Sequence, residues 1–208
     1  MKHHFLVLAL MFGVISAQAE DRKTIVFIGD SITAGYGLDN PSAQAYPALI
    51  QEKIDAIRLD YRAVNAGLSG DTTAGGLRRI NWLLRQKIDI LVLALGGNDG
   101  LRGVAPNTTK ENLLGIIERT RATYPQVQIL VAGMQMPANM GDDYATAFRN
   151  LFPAVASQTQ SELIPFLLEG VGGDPEFNQI DLIHPTAEGQ RLIAETVWLS
   201  LKPLLLDS

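Results

Sequence analysis

The chain has 208 residues, 47% hydrophobic and 19% charged, with a formal net charge of −5. That length fits one domain with a full hydrophobic core. The acidic balance, with no basic run or patch, excludes nucleic acid as a natural partner, and the absence of cysteine excludes disulfides and a thiol-linked lipid anchor.

Residues 1–19 read as a cleavable secretory leader. Lys2 stands in a short charged region, residues 5–16 are apolar, and Ala17-Gln18-Ala19 supplies the small residues for cleavage after Ala19. The apolar run falls short of the roughly 20 residues that span a bilayer. The expected mature domain is therefore residues 20–208, with 16 basic and 22 acidic residues, a net charge of −6. It is expected in the periplasm or outside the cell, with no stable membrane anchor.

Past the leader, strand-like apolar runs alternate with segments of helical period. Strands are predicted at 24–29, 61–65, 88–95, 127–132 and, more weakly, 163–166. The run Ile88-Asp89-Ile90-Leu91-Val92-Leu93-Ala94-Leu95 is almost continuously apolar, as a strand covered on both faces must be. Between them, Tyr46, Leu49, Ile50, Ile54 and Ile57 share one helical face, with Pro47 tolerated in the first turn. Thr108-Thr109-Lys110-Glu111 has the pattern of a capping box ahead of Leu113 and Leu114. Tyr144, Ala147, Phe148, Leu151 and Val155 form a third stripe. Thr186 is the expected cap of the last helix, which carries Leu192, Ile193 and Val197. Trp82 and Trp198, at helical positions, are expected in the core. The alternation predicts a single three-layer α/β/α domain on a parallel sheet, with its site at the carboxyl ends of the strands.

Three polar clusters directly follow three predicted strands: Gly29-Asp30-Ser31, Gly67-Leu68-Ser69-Gly70-Asp71 and Gly96-Gly97-Asn98-Asp99-Gly100. Parallel strands all point one way, so these clusters gather on one edge. Asp181 and His184 follow later, three residues apart and ahead of the last helix. His3 and His4 lie in the leader, so His184 is the only imidazole of the expected mature chain. A serine, a carboxylate and one imidazole are the parts of a nucleophilic hydrolase. Each cluster alone also reads as ordinary turn chemistry; their ordered coincidence favours the site. Other chemistries fail. The Gly-x-Ser-x-Gly elbow is missing, since the 67–71 segment ends in Asp71. A His-Glu-x-x-His zinc site is impossible with one histidine, and no P-loop or dinucleotide fingerprint occurs. No metal and no cofactor are expected. Asn107-Thr108-Thr109 is formally a glycosylation sequon, better explained by helix capping.

These blocks strongly resemble those of the SGNH hydrolases, the GDSL-type lipases and esterases. Gly29-Asp30-Ser31-Ile32-Thr33-Ala34-Gly35 is similar to the first family block, with Ile32 in place of leucine. Gly67 is matched to the glycine of the second block, Gly96-Gly97-Asn98-Asp99 to the third, and Asp181 to His184 to the last. Pro137-Ala138-Asn139 and Ile183-His184-Pro185 are similar to the bacterial thioesterase I, lysophospholipase L1 and arylesterase subgroup. The resemblance implies a five-stranded sheet in the flavodoxin-like order 2-1-3-4-5. It also implies Ser31 as nucleophile, His184 as base and then acid, and Asp181 as the residue orienting the imidazole. The Ser31 and Gly67 amides and the Asn98 side chain become the oxyanion donors, and Asp30 and Asp99 shape the turns.

Beyond the leader, methionine is confined to Met134, Met136 and Met140, after the fourth predicted strand. Flexible thioether side chains suit a pocket for varied apolar groups. Met136, Pro137, Met140, Leu182 and Ile183 are expected to bind substrate, Met134 to finish the strand, and the glycine-rich segment 170–177 to form a lip. The expected activity is hydrolysis of acyl or aryl esters, or of acyl thioesters, by a monomer acting on small molecules. The alternatives are a carbohydrate O-acetylesterase and a non-catalytic binding protein; a pure binder has no need of nucleophile, base and donors together.

Overall fold

The computed structural model describes residues 22–206. The expected leader and its expected cleavage after Ala19 therefore lie outside the described residues. Five strands form one sheet: β1 (Lys23–Gly29), β2 (Tyr61–Gly67), β3 (Ile90–Ala94), β4 (Gln128–Ala132) and β5 (Glu162–Ile164). All pairings are parallel, in the order β2-β1-β3-β4-β5. The expected order 2-1-3-4-5 is thus the observed one. Among the described residues, eight helices and a short 3₁₀ turn (Ala138–Met140) accompany the strands: α1 (Ser31–Ala34), α2 (Pro41–Gln44), α3 (Tyr46–Ala56), α4 (Thr73–Leu83), α5 (Gly97–Leu101), α6 (Pro106–Thr123), α7 (Asp142–Thr159) and, after the last strand, α8 (Ala187–Leu206).

The layers follow from the two-residue period of the strands. Phe27 of β1 meets Tyr46 of α3, ring edge to face at 5.6 Å, while Ile28, pointing the other way, lies over Gly76 of α4. Helices α3 and α8 pack together, and α6 packs against both α4 and α7. Every residue of β3 is buried, which is why its sequence is apolar throughout rather than alternating. β2, at the sheet edge, is only partly covered.

Local chemistry corrects two expectations. Helix α6 begins at Pro106 after Ala105, without a side-chain cap. Proline already holds the φ of a first helical residue and has no N–H to satisfy. Thr108 and Thr109 therefore lie inside the helix, and Glu111 accepts from Asn107 Nδ2 at 2.7 Å instead of capping. Trp82 is 68% exposed, because α4 turns Thr73, Gly76, Ile80 and Leu83 inward and that spacing leaves position 82 outside. Trp198 packs half-buried against the core, with Lys53 Nζ 6.0 Å from its ring centre. Thr186 does cap α8: its Oγ1 accepts from Gly189 N at 3.2 Å. β5 stops at Ile164, ahead of Pro165, which cannot donate to a ladder.

The register sets up the site. Gly29 pairs with Gly67 on one side and Ala94 on the other, so the three polar clusters emerge at one level. They flank the point where the chain moves from one side of β1 to the other, which is where open parallel sheets form crevices.

Candidate active site

Ser31 opens α1 directly after β1. Asp30 caps that turn, its Oδ1 accepting from Ile32 N at 3.0 Å. Ser31 Oγ lies 3.0 Å from His184 Nε2, and His184 Nδ1 lies 2.6 Å from Asp181 Oδ2. Three side chains from two ends of the chain thus form one hydrogen-bonded line. Asp181 Oδ1 also accepts from the amides of Ile183 and His184, both at 3.0 Å. Carboxylate and ring can meet across so short a loop because Leu182 takes φ 57°, a left-handed conformation that bulky residues seldom adopt. The His184 side-chain bond, then the two amides, lower the Asp181 pKa to about 2. The ring of Tyr36 lies 4.7 Å from the imidazole.

The other two clusters are pinned to this one. Asp99 accepts from Thr73 N at 2.8 Å and from Thr73 Oγ1, joining the starts of α4 and α5. Arg79 donates to Asp71 Oδ2 at 2.7 Å and to Gly29 O at 3.1 Å, which ties the turn after β2 to the end of β1. Asn98 Nδ2 reaches Asp30 Oδ2 at 3.4 Å. Burial raises the Asp30 pKa to about 6, against the lowering effects of the Ile32 amide, the His184 charge and Asn98.

Gly67 does not suit the expected role. Its amide donates to Asn65 Oδ1 at 2.9 Å, while Asn65 Nδ2 donates to Thr33 O at 2.7 Å. A Cβ at Gly67 would lie 2.3 Å from Ala34 N. This glycine serves the close approach of β2 to α1, and its N–H is already committed. Three residues on, Gly70 sits at φ +78° in open surroundings. Arg102 Nη2 donates to its carbonyl at 3.0 Å, and among the described hydrogen bonds its amide meets no protein acceptor. Both glycines stand in one short block, so the signal was present; what separates them is the packing.

A cavity of about 530 Å³ opens beside Ser31, Asn98 and His184. Met136, Pro137, Leu182 and Ile183 line it, as does Met134, which is buried at the end of β4. Met140 does not; it closes the 3₁₀ turn, its amide donating to Pro137 O at 3.1 Å, and is withdrawn from the cavity wall. Gly172 and Gly173 of the glycine-rich segment contribute to the lining. Leu101, Phe166 and Leu168 also line it and were not anticipated. Leu101 had a signal, one helical turn beyond Asn98; the other two follow β5 with no motif. Among the described residues no cluster of His, Asp and Glu could hold a metal ion, and no helix is long and apolar enough to cross a membrane.

Residues 27–192 match the model of the GDSL-like lipase/acylhydrolase family. The chain is 44% identical over 193 residues to Esterase TesA of Pseudomonas aeruginosa, covering 92% of this chain and 94% of that one. It is 36% identical over 203 residues to Thioesterase 1/protease 1/lysophospholipase L1 of Escherichia coli, covering 97% and 93%. The crystal structure of TesA superimposes with a TM-score of 0.83 at 45% identity, over 88% of this chain and 99% of that one.

Proposed function

We infer the reaction from kinship and geometry together: the chain belongs to the GDSL-like lipase/acylhydrolase family, the SGNH hydrolases, and is a carboxylic ester hydrolase. Our reading is that it works through an acyl-enzyme on Ser31. The observation that carries this is the unbroken line from Asp181 through His184 to Ser31 at the mouth of an apolar cavity.

In this mechanism His184 Nε2 takes the Ser31 proton as Oγ attacks the acyl carbon. The same nitrogen then protonates the departing alcohol, phenol or thiol as the acyl bond breaks. Water repeats the sequence and frees Ser31. Asp181 holds the proton on Nδ1 and stabilises the imidazolium. The oxyanion donors are the Ser31 amide, Asn98 Nδ2 and the Gly70 amide, the last in place of Gly67, whose amide is already donated to Asn65. Such donors are effective because they are fixed before charge develops.

The cavity that would take the acyl group is lined by Leu101, Met136, Pro137, Phe166, Leu182 and Ile183. The apolar lining of this cavity, with Leu101, Met134, Met136, Phe166 and Leu168, favours longer acyl or aryl esters and acyl thioesters over acetylated sugars. The leader pattern at residues 1–19 supports action in the periplasm or outside the cell. The test compares wild type with Ser31→Ala on p-nitrophenyl butyrate and a butyryl thioester. Wild type is expected to hydrolyse both, and the variant to lose on the order of 10⁴-fold or more in kcat. Retention of activity within tenfold would overturn the assignment.

A further inference from the structure

Ser31 and His184 stand 153 positions apart in the chain, yet their reacting atoms are 3.0 Å apart. Asp181 cannot be what sets that distance. Its three hydrogen bonds all end on Ile183 and His184, so it orients the ring within its own loop and holds nothing on the serine side. Something else must fix the loop against the turn that carries Ser31.

Two glutamines flank His184 and reach across to that turn. Gln190, in the first turns of α8 and 1% exposed, donates from Nε2 to Ile32 O at 2.9 Å and accepts from Tyr46 N at 2.9 Å through Oε1. Gln179, before the loop, donates its backbone N–H to His184 O at 2.8 Å. Its Nε2 donates to Tyr36 O at 2.8 Å and to Pro185 O at 3.2 Å. One arm thus ends on the carbonyl of the residue after Ser31, the other on a carbonyl just beyond α1. The histidine loop is held from both sides by the same short segment.

We propose that Gln179 and Gln190 are positioning residues, a two-armed clamp that sets the working distance between Ser31 Oγ and His184 Nε2. Proton transfer needs heavy atoms about 2.6–3.2 Å apart, and displacement by about 1 Å in such a pair costs roughly 10²-fold in rate. Gln190 fixes the start of α8 from inside the core. Gln179 fixes the exposed side, where the ring of Tyr36 also lies against the imidazole. Each arm joins a neutral amide to a neutral carbonyl, so the clamp carries no charge and does not itself titrate.

The proposal rests on the serine-hydrolase reading, and the experiment separates the two. The full chain is labelled with a fluorophosphonate and followed by intact mass, giving both the rate of capture at Ser31 and the fraction of chains captured. Gln179→Ala and the uncharged, similarly long Gln179→Met are expected to label to full stoichiometry at least about tenfold more slowly than wild type. kcat on p-nitrophenyl butyrate should fall in parallel, with KM within about twofold and the pH dependence unmoved. Gln190→Met is expected to lose more rate and also to melt earlier, because it leaves the buried Tyr46 amide unpaired. Wild-type labelling rates in both Gln179 variants would overturn the clamp. So would fewer captured chains at an unchanged rate, the mark of a merely structural role. A wild type that fails to label while Ser31→Ala stays fully active would instead remove the serine-hydrolase reading, and the clamp with it.

Discussion

Replacing Asp181 by asparagine puts the two jobs of one side chain in conflict. The carboxylate accepts three hydrogen bonds, from two loop amides at Oδ1 and from the imidazole at Oδ2. Asparagine can keep Oδ1 on the amides only by turning its NH₂ toward His184 Nδ1. Two N–H groups cannot face each other, so the ring proton moves to Nε2, where it blocks acceptance from Ser31. In a buried triad that tautomer costs about 10⁴-fold. If the carboxamide flips instead, the ring is served but both loop amides lose their acceptor, at about 1 kcal/mol or more each. Asp181 is 41% exposed, so water softens either penalty. The expected fall in kcat is therefore about 10²–10³-fold, roughly 2.7–4.1 kcal/mol. The assay is steady-state hydrolysis of p-nitrophenyl butyrate at pH 8 beside a thermal melt. A folded Asp181→Asn enzyme within threefold of wild type would refute the role given to this carboxylate.

Asp30→Asn tests the buried carboxyl at the α1 cap. Burial raises its pKa from the ordinary 3.8 to about 6, so between those values the folded chain keeps a proton that the unfolded chain has released, and stability falls as pH rises. The asparagine variant cannot titrate and is expected to gain on wild type by about 2 kcal/mol between pH 4 and pH 8; urea unfolding that shows the same difference at both ends would contradict this. Asn98→Ala is expected to lower kcat by about 10²–10³-fold with KM little changed, and a loss confined to KM would remove Asn98 from the oxyanion donors. Met136→Trp fills part of the cavity. Since one buried methylene is worth about 0.8 kcal/mol, excluding two should lower kcat/KM for octanoyl relative to butyryl esters about tenfold, and an unchanged chain-length profile would place the acyl group elsewhere.

Much of the frame was legible because burial writes directly into composition. β3 lies at the centre with both faces covered, and its apolar run says so; the alternation of strands and helices implied parallel pairing, and parallel pairing brought the three polar clusters to one edge. The meeting of Ser31, His184 and Asp181 followed from that geometry and from the scarcity of imidazole. What escaped depended on packing between distant segments. Trp82 looked like a core residue until α4 turned its other face inward. Gly67 and Gly70 are equivalent on paper, yet one is glycine for close approach and the other adopts a positive φ; only the partner of each amide tells them apart. Met136 and Met140 are four residues apart, and the 3₁₀ turn sends one to the cavity and leaves the other off it. Gln179 and Gln190 carry no motif at all, because their meaning lies in carbonyls more than 140 positions away.

The acyl-enzyme itself is open to direct observation. Wild-type protein mixed rapidly with a slowly deacylating p-nitrophenyl ester should release a burst of about one p-nitrophenolate per chain. Acid quenching within the burst should show the acyl mass on the peptide containing Ser31, and Ser31→Ala should show neither burst nor adduct. Linear release without a burst, together with an unmodified Ser31 peptide during turnover, would contradict covalent catalysis at this serine.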